Sequence, residues 1–572
     1  MYFSSLLAIL ALSTTISAIP HPLLPRAAND THKFLTNKTR PYSVDGANLP
    51  DIPFDIGESY SGLMPIGDKA GGQELFFWFV PSENEAADDE IVIWLNGGPG
   101  CSSLMGFLQE NGPISWQSGQ LAPIRNVYSW TNLTNVIWVE QPAGTAFSSA
   151  HGDGDNQDEL GVAQQFLGFW KNFIDTFDMK GRKISITEIW DSSPFYFSRS
   201  TKISFSNLVE NMQVPYIAEA MLNTTGKNAS DYYNVTGILI YDPILGDRTL
   251  GDNAPVVEFV NANKNLFPFE EDVFEQLNEY ADQCGFTDLM EQTNTFPPKG
   301  PIKVPEILQL NATSTTLSSF GNDSCYLQYF VQAYISQLNP CFNIYYVGQP
   351  CQYPSDIIGD PYHTNAPGSP AGYFTRPDVQ KAIHAPTAKN GSAFEWDICS
   401  PRTQVFAGGI DRSPPSANNG GPLGKVIERT NNVIVGHGTL DMVLMVNGSL
   451  MALQNLTWNG AQGFSKPLEN DMVVPYYPQG VVAQSGNGTL GKWTEDRGLI
   501  FCTVELSGHE VPGYQPGVAL RHLEKLLGRI DSLDDDAGFS TQDTYFAGGF
   551  DYVPLTEDQI DHQLVRRAQM LP

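Results

Sequence analysis

The sequence predicts an α/β fold: a mainly parallel central sheet flanked by helices, with a largely helical, disulfide-containing insertion. Three observations predict it. Short, wholly apolar runs recur along the chain, as expected of strands buried on both faces. Helical patterns lie between several of these runs, and alternating strands and helices give a parallel sheet covered on both sides. The rhythm breaks over residues 247–400, where Cys284, Cys325, Cys341 and Cys351 gather among helical stretches and prolines.

Taken in order, residues 1–18, "MYFSSLLAILALSTTISA", read as a signal peptide, with Ile16-Ser17-Ala18 as a small-residue cleavage site. The run is too short to span a bilayer. Residues 19–55 read as a loose lead-in or propeptide. "SYSGLMPI" and "ELFFWFVPS", separated by a turn-rich stretch, predict a hairpin that opens the first part of the core, residues 56–246. The buried strands follow: "EIVIWLNGG", "NVIWVEQPAG", "KISIT", "VTGILIYDP", then, beyond the insertion, "NNVIVGHGTLD" and "LIFCTVELSGHE". "ELGVAQQFLGFWKNFIDTF" and "VPYIAEAML" have helical periodicity. The insertion 247–400 is expected to cap the sheet. Residues 401–430, with "SPPSANNGGPLG", read as an exposed loop. The second part of the core spans 431–530, and 531–572 is a C-terminal extension.

Charge narrows the function. With 32 basic and 63 acidic residues the formal charge is −31, which repels phosphate backbones and excludes a nucleic-acid partner. Such a chain suits an acidic medium. Eleven Asn-x-Ser/Thr sequons, at Asn37, Asn132, Asn223, Asn228, Asn234, Asn311, Asn322, Asn390, Asn447, Asn455 and Asn487, agree with the leader in predicting a glycosylated secretory protein. It is expected to be secreted, or alternatively vacuolar. The polar C-terminus excludes a lipid-anchor tail, so no membrane anchor is expected. Seven cysteines in an oxidising compartment allow three disulfides and one thiol, with Cys502, inside an apolar strand, as the free one. Scattered histidines give no metal cluster, and no cofactor is expected.

Polar residues just after buried strands are the natural functional positions of this architecture. "WLNGGPGCSSLMGFLQENGP" (94–113) places consecutive glycines after a strand, where backbone N–H groups can face an oxyanion. "GHGTLDMVL" places Asp441 after another strand, and "ELSGHEVPGYQP" places His509 after the last. A late Asp followed by a later His is the chain order of a hydrolase triad. The histidine takes a proton from a serine, and the aspartate fixes its tautomer.

With "LNGGPGCSSL", "ENGP", "VIWVEQPAGTAFS", "VPYIAEAML", "LDMVLMVNGSLMALQNLTWNG" and "SGHEVPGYQP", the chain resembles the serine carboxypeptidases of the α/β-hydrolase superfamily, secreted fungal members especially, from about residue 56 to about 530. The resemblance implies an α/β-hydrolase fold and hydrolysis of the C-terminal bond of peptides and proteins at acid pH, their C-termini being the substrate. It assigns Asp441 and His509 to the triad and Gly98 to the oxyanion hole. Asn96 and Glu110 match the residues that hold the substrate carboxylate. A carboxyl binds a carboxylate only if one of the two carries a proton, which accounts for the acid preference. Cys101 and Cys399 match a family disulfide. The pairing of Cys284, Cys325, Cys341 and Cys351 stays open among three alternatives.

The nucleophile is missing. The resemblance places it between "KISIT" and "VPYIAEAML", in a turn like Gly-Glu-Ser-Tyr-Ala-Gly, with about eight residues between the flanks. Here residues 188–213 give 26, with no Gly and no Ala, where a strained strand-to-helix turn needs small residues. Counting from the left flank puts Trp190 at the serine position, and counting from the right puts Leu208 there. Ser192, Ser193, Ser198, Ser200, Ser204 and Ser206 lie in no such turn. "GESYSG" at 57–62 looks like the missing motif, but Ser59 leads into the first strand of the hairpin with no helix behind it. Two explanations follow. Either the gene model is wrong around this segment, through a misplaced splice junction or a frame shift restored downstream, or the chain as written has lost its nucleophile and is an inactive secreted relative, peptide-binding or vestigial. A third reading keeps the fold and changes the reaction to acyl transfer.

Overall fold

Period-two burial runs through the central strands of the computed structural model. In the strand Glu74–Val80, Leu75, Phe77 and Phe79 join one core cluster, while Phe76, Trp78 and Val80 join another. In Glu90–Gly97, Ile91, Ile93 and Leu95 join the first cluster, and Val92 and Trp94 the second. Successive side chains of a strand point to opposite faces, so an unbroken apolar run needs a cover on each side. The structure describes residues 32–541 apart from 68–71, 121, 149–155, 191–212, 306–324, 351–355, 359–371, 388–393 and 478–484.

The described residues form an 11-stranded sheet. Its strands are β1 (Ser43–Val44), β2 (Ser59–Pro65), β3 (Glu74–Val80), β4 (Glu90–Gly97), β5 (Val136–Val139), β6 (Lys183–Trp190), β7 (Val235–Tyr241), β8 (Val433–Gly438), β9 (Asn470–Val474), β10 (Gly488–Asp496) and β11 (Leu499–Val504). Their order is β1-β2-β3-β5-β4-β6-β7-β8-β11-β10-β9. The run from β5 to β11 is parallel. β1, β2 and β3 extend it antiparallel at one edge, and β10 and β9 at the other. The second antiparallel edge was not expected.

Helices α1 (Glu159–Phe177) and α2 (Gln213–Asn223) cover one face. The side chain of Asp158 caps α1 by accepting from Gly161 N, and Asp178 ends it in a left-handed conformation (φ 54°). Between those ends, Phe166, Phe169, Trp170, Phe173 and Phe177 form the buried stripe. The insertion adds α3 (Glu271–Cys284), α4 (Phe286–Thr293) and α5 (Leu327–Leu338). α6 (Pro422–Thr430) and α7 (Val446–Asn455) also pack on the first face, and α8 (Pro516–Leu526) packs on the other.

Two local expectations change. Residues 401–430 are not an exposed loop: they contain α6, whose Leu423, Val426 and Ile427 are buried, and Asp411, Ser413 and Ser416 are buried before it. Pro422 at the start of α6 is a helix-starting residue that the preceding glycines obscure. The lead-in is packed from Phe34 onward, with Val44, Leu49 and Ile52 in the core and Glu58 accepting from the backbone N–H groups of Lys33 and Phe34. Ser59 starts β2, one strand in from the short edge strand β1, and is buried. The signal peptide and most of the C-terminal extension lie outside the described residues.

Candidate functional site

The parallel strands end on one side of the sheet, and the polar residues singled out above sit just past those ends. Asp441 follows β8 and His509 follows β11, its neighbour. Both side chains are buried, and His509 Nδ1 lies 2.7 Å from Asp441 Oδ2. Asp441 Oδ1 accepts from Val443 N at 2.7 Å and Leu444 N at 3.2 Å. These backbone donors fix the orientation of the carboxyl group.

The two loops can approach because both carry glycine at the contact. A Cβ on Gly438 would lie 2.1 Å from Gly508 O, and one on Gly508 would lie 2.2 Å from Tyr345 O. The insertion threads between them. His509 N donates to Tyr345 O at 2.7 Å, Met442 N donates to Ile344 O at 3.0 Å, and Val347 N donates to Leu440 O at 3.0 Å. The ring of Tyr345 meets the His509 imidazole edge-on at 5.4 Å. Residues 344–347 thus set the spacing of the Asp441–His509 pair. Nothing in the sequence of "NIYYVG" signals this.

Asn96 lies near the end of β4, fully buried. Its Oδ1 accepts from Trp94 Nε1 at 2.7 Å, which orients the amide so that Nδ2 donates to Glu110 Oε1 at 3.0 Å. Gly98 is buried in the turn that follows. Helical turns at Ser103–Met105 and Gly106–Glu110 carry Glu110 into place. A Cβ on Gly513, four residues beyond His509, would lie 3.8 Å from Glu110 Cγ. The segment that follows His509 therefore packs against Glu110.

The turn after β4 is tied down from two directions. Cys101 and Cys399 form a disulfide, reinforced by Ser102 N donating to Ile398 O at 2.7 Å and Ser400 N donating to Gly100 O at 2.9 Å. Beneath it, the fully buried Glu140 carboxyl bonds to Ser102 Oγ and accepts from Phe147 N at 2.8 Å. Burial pushes the Glu140 carboxyl up to about 8. Cys284 pairs with Cys325, and Cys502 is free and buried. Cys341 is also disulfide-bonded, and Cys351 lies outside the described residues.

The expected nucleophile position can be described only at its rims. β6 runs on past "KISIT" to Trp190 and pairs with β4 as far as Gly97. Glu188 is fully buried, and its Oε2 accepts from Val214 N, at the start of α2, at 3.0 Å. Gln213 Nε2 donates to Asn96 O at 3.3 Å. One glutamate side chain therefore ties the end of β6 to the first turn of α2. Burial pushes Glu188 up to about 8. Leu208 and the six serines of the segment lie outside the described residues.

Three residues behind the pair were not singled out from sequence. Asp242, just past β7, sits 2.9 Å from His437 on β8, and His437 lies 2.8 Å from Ser449 on α7. Asp242 in "GILIYDP" follows a buried strand as Asp441 does, and the same positional rule could have found it. Among the described residues, a group able to hold a metal comprises only Asp242, His437 and Asp441, and Asp441 is already engaged by His509.

Of the eight sequon asparagines in the described residues, none is buried: Asn37, Asn223, Asn228, Asn455 and Asn487 are exposed, while Asn132, Asn234 and Asn447 are partly so. Asn311, Asn322 and Asn390 lie outside. No helix among the described residues is long and apolar enough to cross a membrane.

Comparison with known proteins agrees with this geometry. The family model described as serine carboxypeptidase matches residues 50–529. A probable serine carboxypeptidase of Arthroderma benhamiae is 42% identical over 536 residues, covering 90% of this chain and 91% of the relative. Serine-type carboxypeptidase F of Aspergillus niger is 38% identical over 536 residues, covering 90% and 92%. The crystal structure of the prohormone-processing carboxypeptidase Kex1 from Saccharomyces cerevisiae superposes with a TM-score of 0.62 at 21% identity, covering 87% of this chain and 98% of that one, a likeness of fold.

Proposed function

The chain belongs to the serine carboxypeptidase family and has its α/β-hydrolase fold, and we propose that its site is built to remove the C-terminal residue of peptides and proteins at acid pH, with the nucleophilic turn replaced in the sequence as written. The buried Asp441–His509 contact of 2.7 Å carries this reading. In the reaction, a serine between β6 and α2 attacks the last peptide bond while His509 takes its proton. His509 then gives that proton to the leaving amino acid, and water resolves the acyl-enzyme. Asp441 holds the imidazole tautomer. The Gly98 N–H stabilises the tetrahedral oxyanion.

The substrate carboxylate is held by Asn96 and Glu110. A buried acid facing an anion requires one shared proton, so binding weakens once the medium no longer supplies it. In a chain with a serine turn in place, KM is expected to rise ~10-fold or more between pH 5 and pH 7. Glu110→Gln, which hydrogen-bonds without titrating, should flatten that rise. A KM profile as steep in the variant as in its parent would remove Glu110 from this role.

The leader, the eleven sequons and the accessible position of the eight described ones support secretion or vacuolar residence. The excess over the expected turn, about 18 residues, has the length of a short intron. A gene model with a misplaced splice junction, or a frame shift restored downstream, accounts for it while leaving the other site segments intact. A messenger RNA encoding 188–213 as written would overturn that account.

One observation favours a second reading for the chain as translated, an inactive peptide-binding relative: Glu188 caps α2 where a serine turn would run, with no Gly or Ala from 188 to 213. An active-site serine phosphonylating reagent separates the two. Labelling of the chain as written overturns the inactive reading, and absence of labelling supports a lost nucleophile.

A further inference from the structure

The Asp441–His509 pair is backed by a second, fully buried layer that the reaction does not use. Asp242, His437 and Ser449 form a chain across β7, β8 and α7, with Asp242 and His437 inaccessible to solvent and Ser449 nearly so. One ligand atom from each of Asp242, His437 and Asp441 lies within 4.8 Å of the others. Two buried carboxylates and an imidazole this close must share out their protons, because two bare anions at that distance in a dry interior repel strongly.

Hydrogen-bond accounting says where the protons go. Ser449 Oγ donates to Pro243 O at 2.6 Å, since a carbonyl has no proton to give. The single Ser449 proton is then spent, so Ser449 accepts from His437, and Nε2 is the protonated nitrogen of that ring. His437 Nδ1 consequently presents a lone pair to Asp242 Oδ1 at 2.9 Å. The contact repels unless it holds one more proton. Nδ1 has no partner aligned for a ring N–H donor, which favours the carboxyl as the carrier.

We propose that Asp242 is a neutral, proton-bearing acid lying between His437 and Asp441, and that it acts as a positioning residue: it holds the loop leading to Asp441 through Gly438 N and adds no negative charge of its own beside His509. Gly438 N donates to Asp242 Oδ1 at 2.9 Å, three residues before Asp441. The groups facing Asp242 are consistent with this. Asp441 and His509 come from the loops after β8 and β11, and His437 from β8. Tyr241 on β7 and Cys502 on β11 are kept neutral by burial, which raises both. Burial likewise raises Asp242, with the neighbouring Asp441 charge adding to it, and depresses His437 to about 3. The inference rests on the triad reading above, but its test does not require hydrolysis.

The experiment is imidazole nitrogen NMR on the full chain, labelled with 15N-histidine, with and without Asp242→Asn. An asparagine has nearly the shape of the aspartic acid and is uncharged at every pH, so it stands in for a neutral acid and not for an aspartate. The expected result is a neutral, Nε2-protonated His437 in the parent chain. The variant should move the His509 titration midpoint by less than about 0.5 pH unit. A doubly protonated His437 in the parent, or a His509 midpoint lowered by about 0.5 unit or more in Asp242→Asn, would show Asp242 to be an anion and overturn the proposal. The parent measurement stands by itself if the variant does not fold. Hydrolysis assays on a serine-restored chain report separately on the triad, so the two readings fail independently.

Discussion

Replacing residues 188–213 with an eight-residue turn built on Gly-Glu-Ser-Tyr-Ala-Gly is expected to turn an inactive chain into a carboxypeptidase, with kcat rising on the order of 10⁴-fold or more, since removing a triad nucleophile costs about 10⁶ in kcat. The rims already permit it. Glu188 reaches Val214 N at 3.0 Å, so β6 and α2 are close enough to be joined by a short turn. The Asp441–His509 and Asn96–Glu110 contacts on which the proposed reaction rests are in place. The check is release of free amino acid from a peptide at about pH 5, together with phosphonylation of the new serine. In that restored chain Asp441→Asn should lower kcat by roughly 10³–10⁴, the size seen when a triad aspartate no longer fixes the tautomer. A restored chain that folds, shows the native near-ultraviolet signature and stays inactive would defeat the proposed function.

The second large effect is on stability. Glu140 and Glu188 are fully buried and pushed up from 4.5 to about 8. Below pH 4.5 both folded and unfolded states hold these protons. As pH rises the unfolded chain ionises first, so the stability they contribute is lost between about 4.5 and 8. The buried His437 and His522, depressed from 6.5 to about 3, act in the opposite direction: their contribution is full above 6.5 and is lost as pH falls toward 3. Tm should peak between pH 4.5 and 6.5, where the two trends oppose, and fall by several degrees toward pH 8. Glu140→Gln keeps an acceptor for Phe147 N, turns its amide NH2 toward a Ser102 hydroxyl that can rotate to accept, and removes the titration. It should recover part of the loss at pH 8, on the order of 1–3 kcal/mol. A Tm that is flat or rising from pH 6 to 8 in the parent would contradict this.

Much of the sheet was legible because its central strands are buried on both faces. "EIVIWLNGG" and "VTGILIYDP" are unbroken apolar runs that only a covered sheet accommodates. β9 and β10 were not, because "NDMVV" and "GTLGKWTED" mix apolar and charged residues at an edge where one face is partly open. α6 was hidden by the Gly- and Pro-rich stretch before it. In the site, Asp441 and His509 were legible from position, each following a buried strand, while Asn96 and Glu110 were marked out only by the family resemblance. Asp242, His437 and Ser449 were not, since what makes them matter is proximity across three elements. The place of the nucleophile was legible as a departure, a segment too long and too poor in small residues.

The short stretch 344–347 also bears on how such a protein can diversify. Its backbone bonds to Leu440, Met442 and His509 make part of the insertion a spacer inside the proton-transfer machinery. A cap exchanged wholesale between relatives would carry its own spacer and reset the alignment of base and acid. The exposed face of a helix such as α3 can change freely, while its buried stripe and Ile344, Tyr345 and Val347 constrain every graft. Modularity here stops a few residues short of the boundary that a domain diagram would draw.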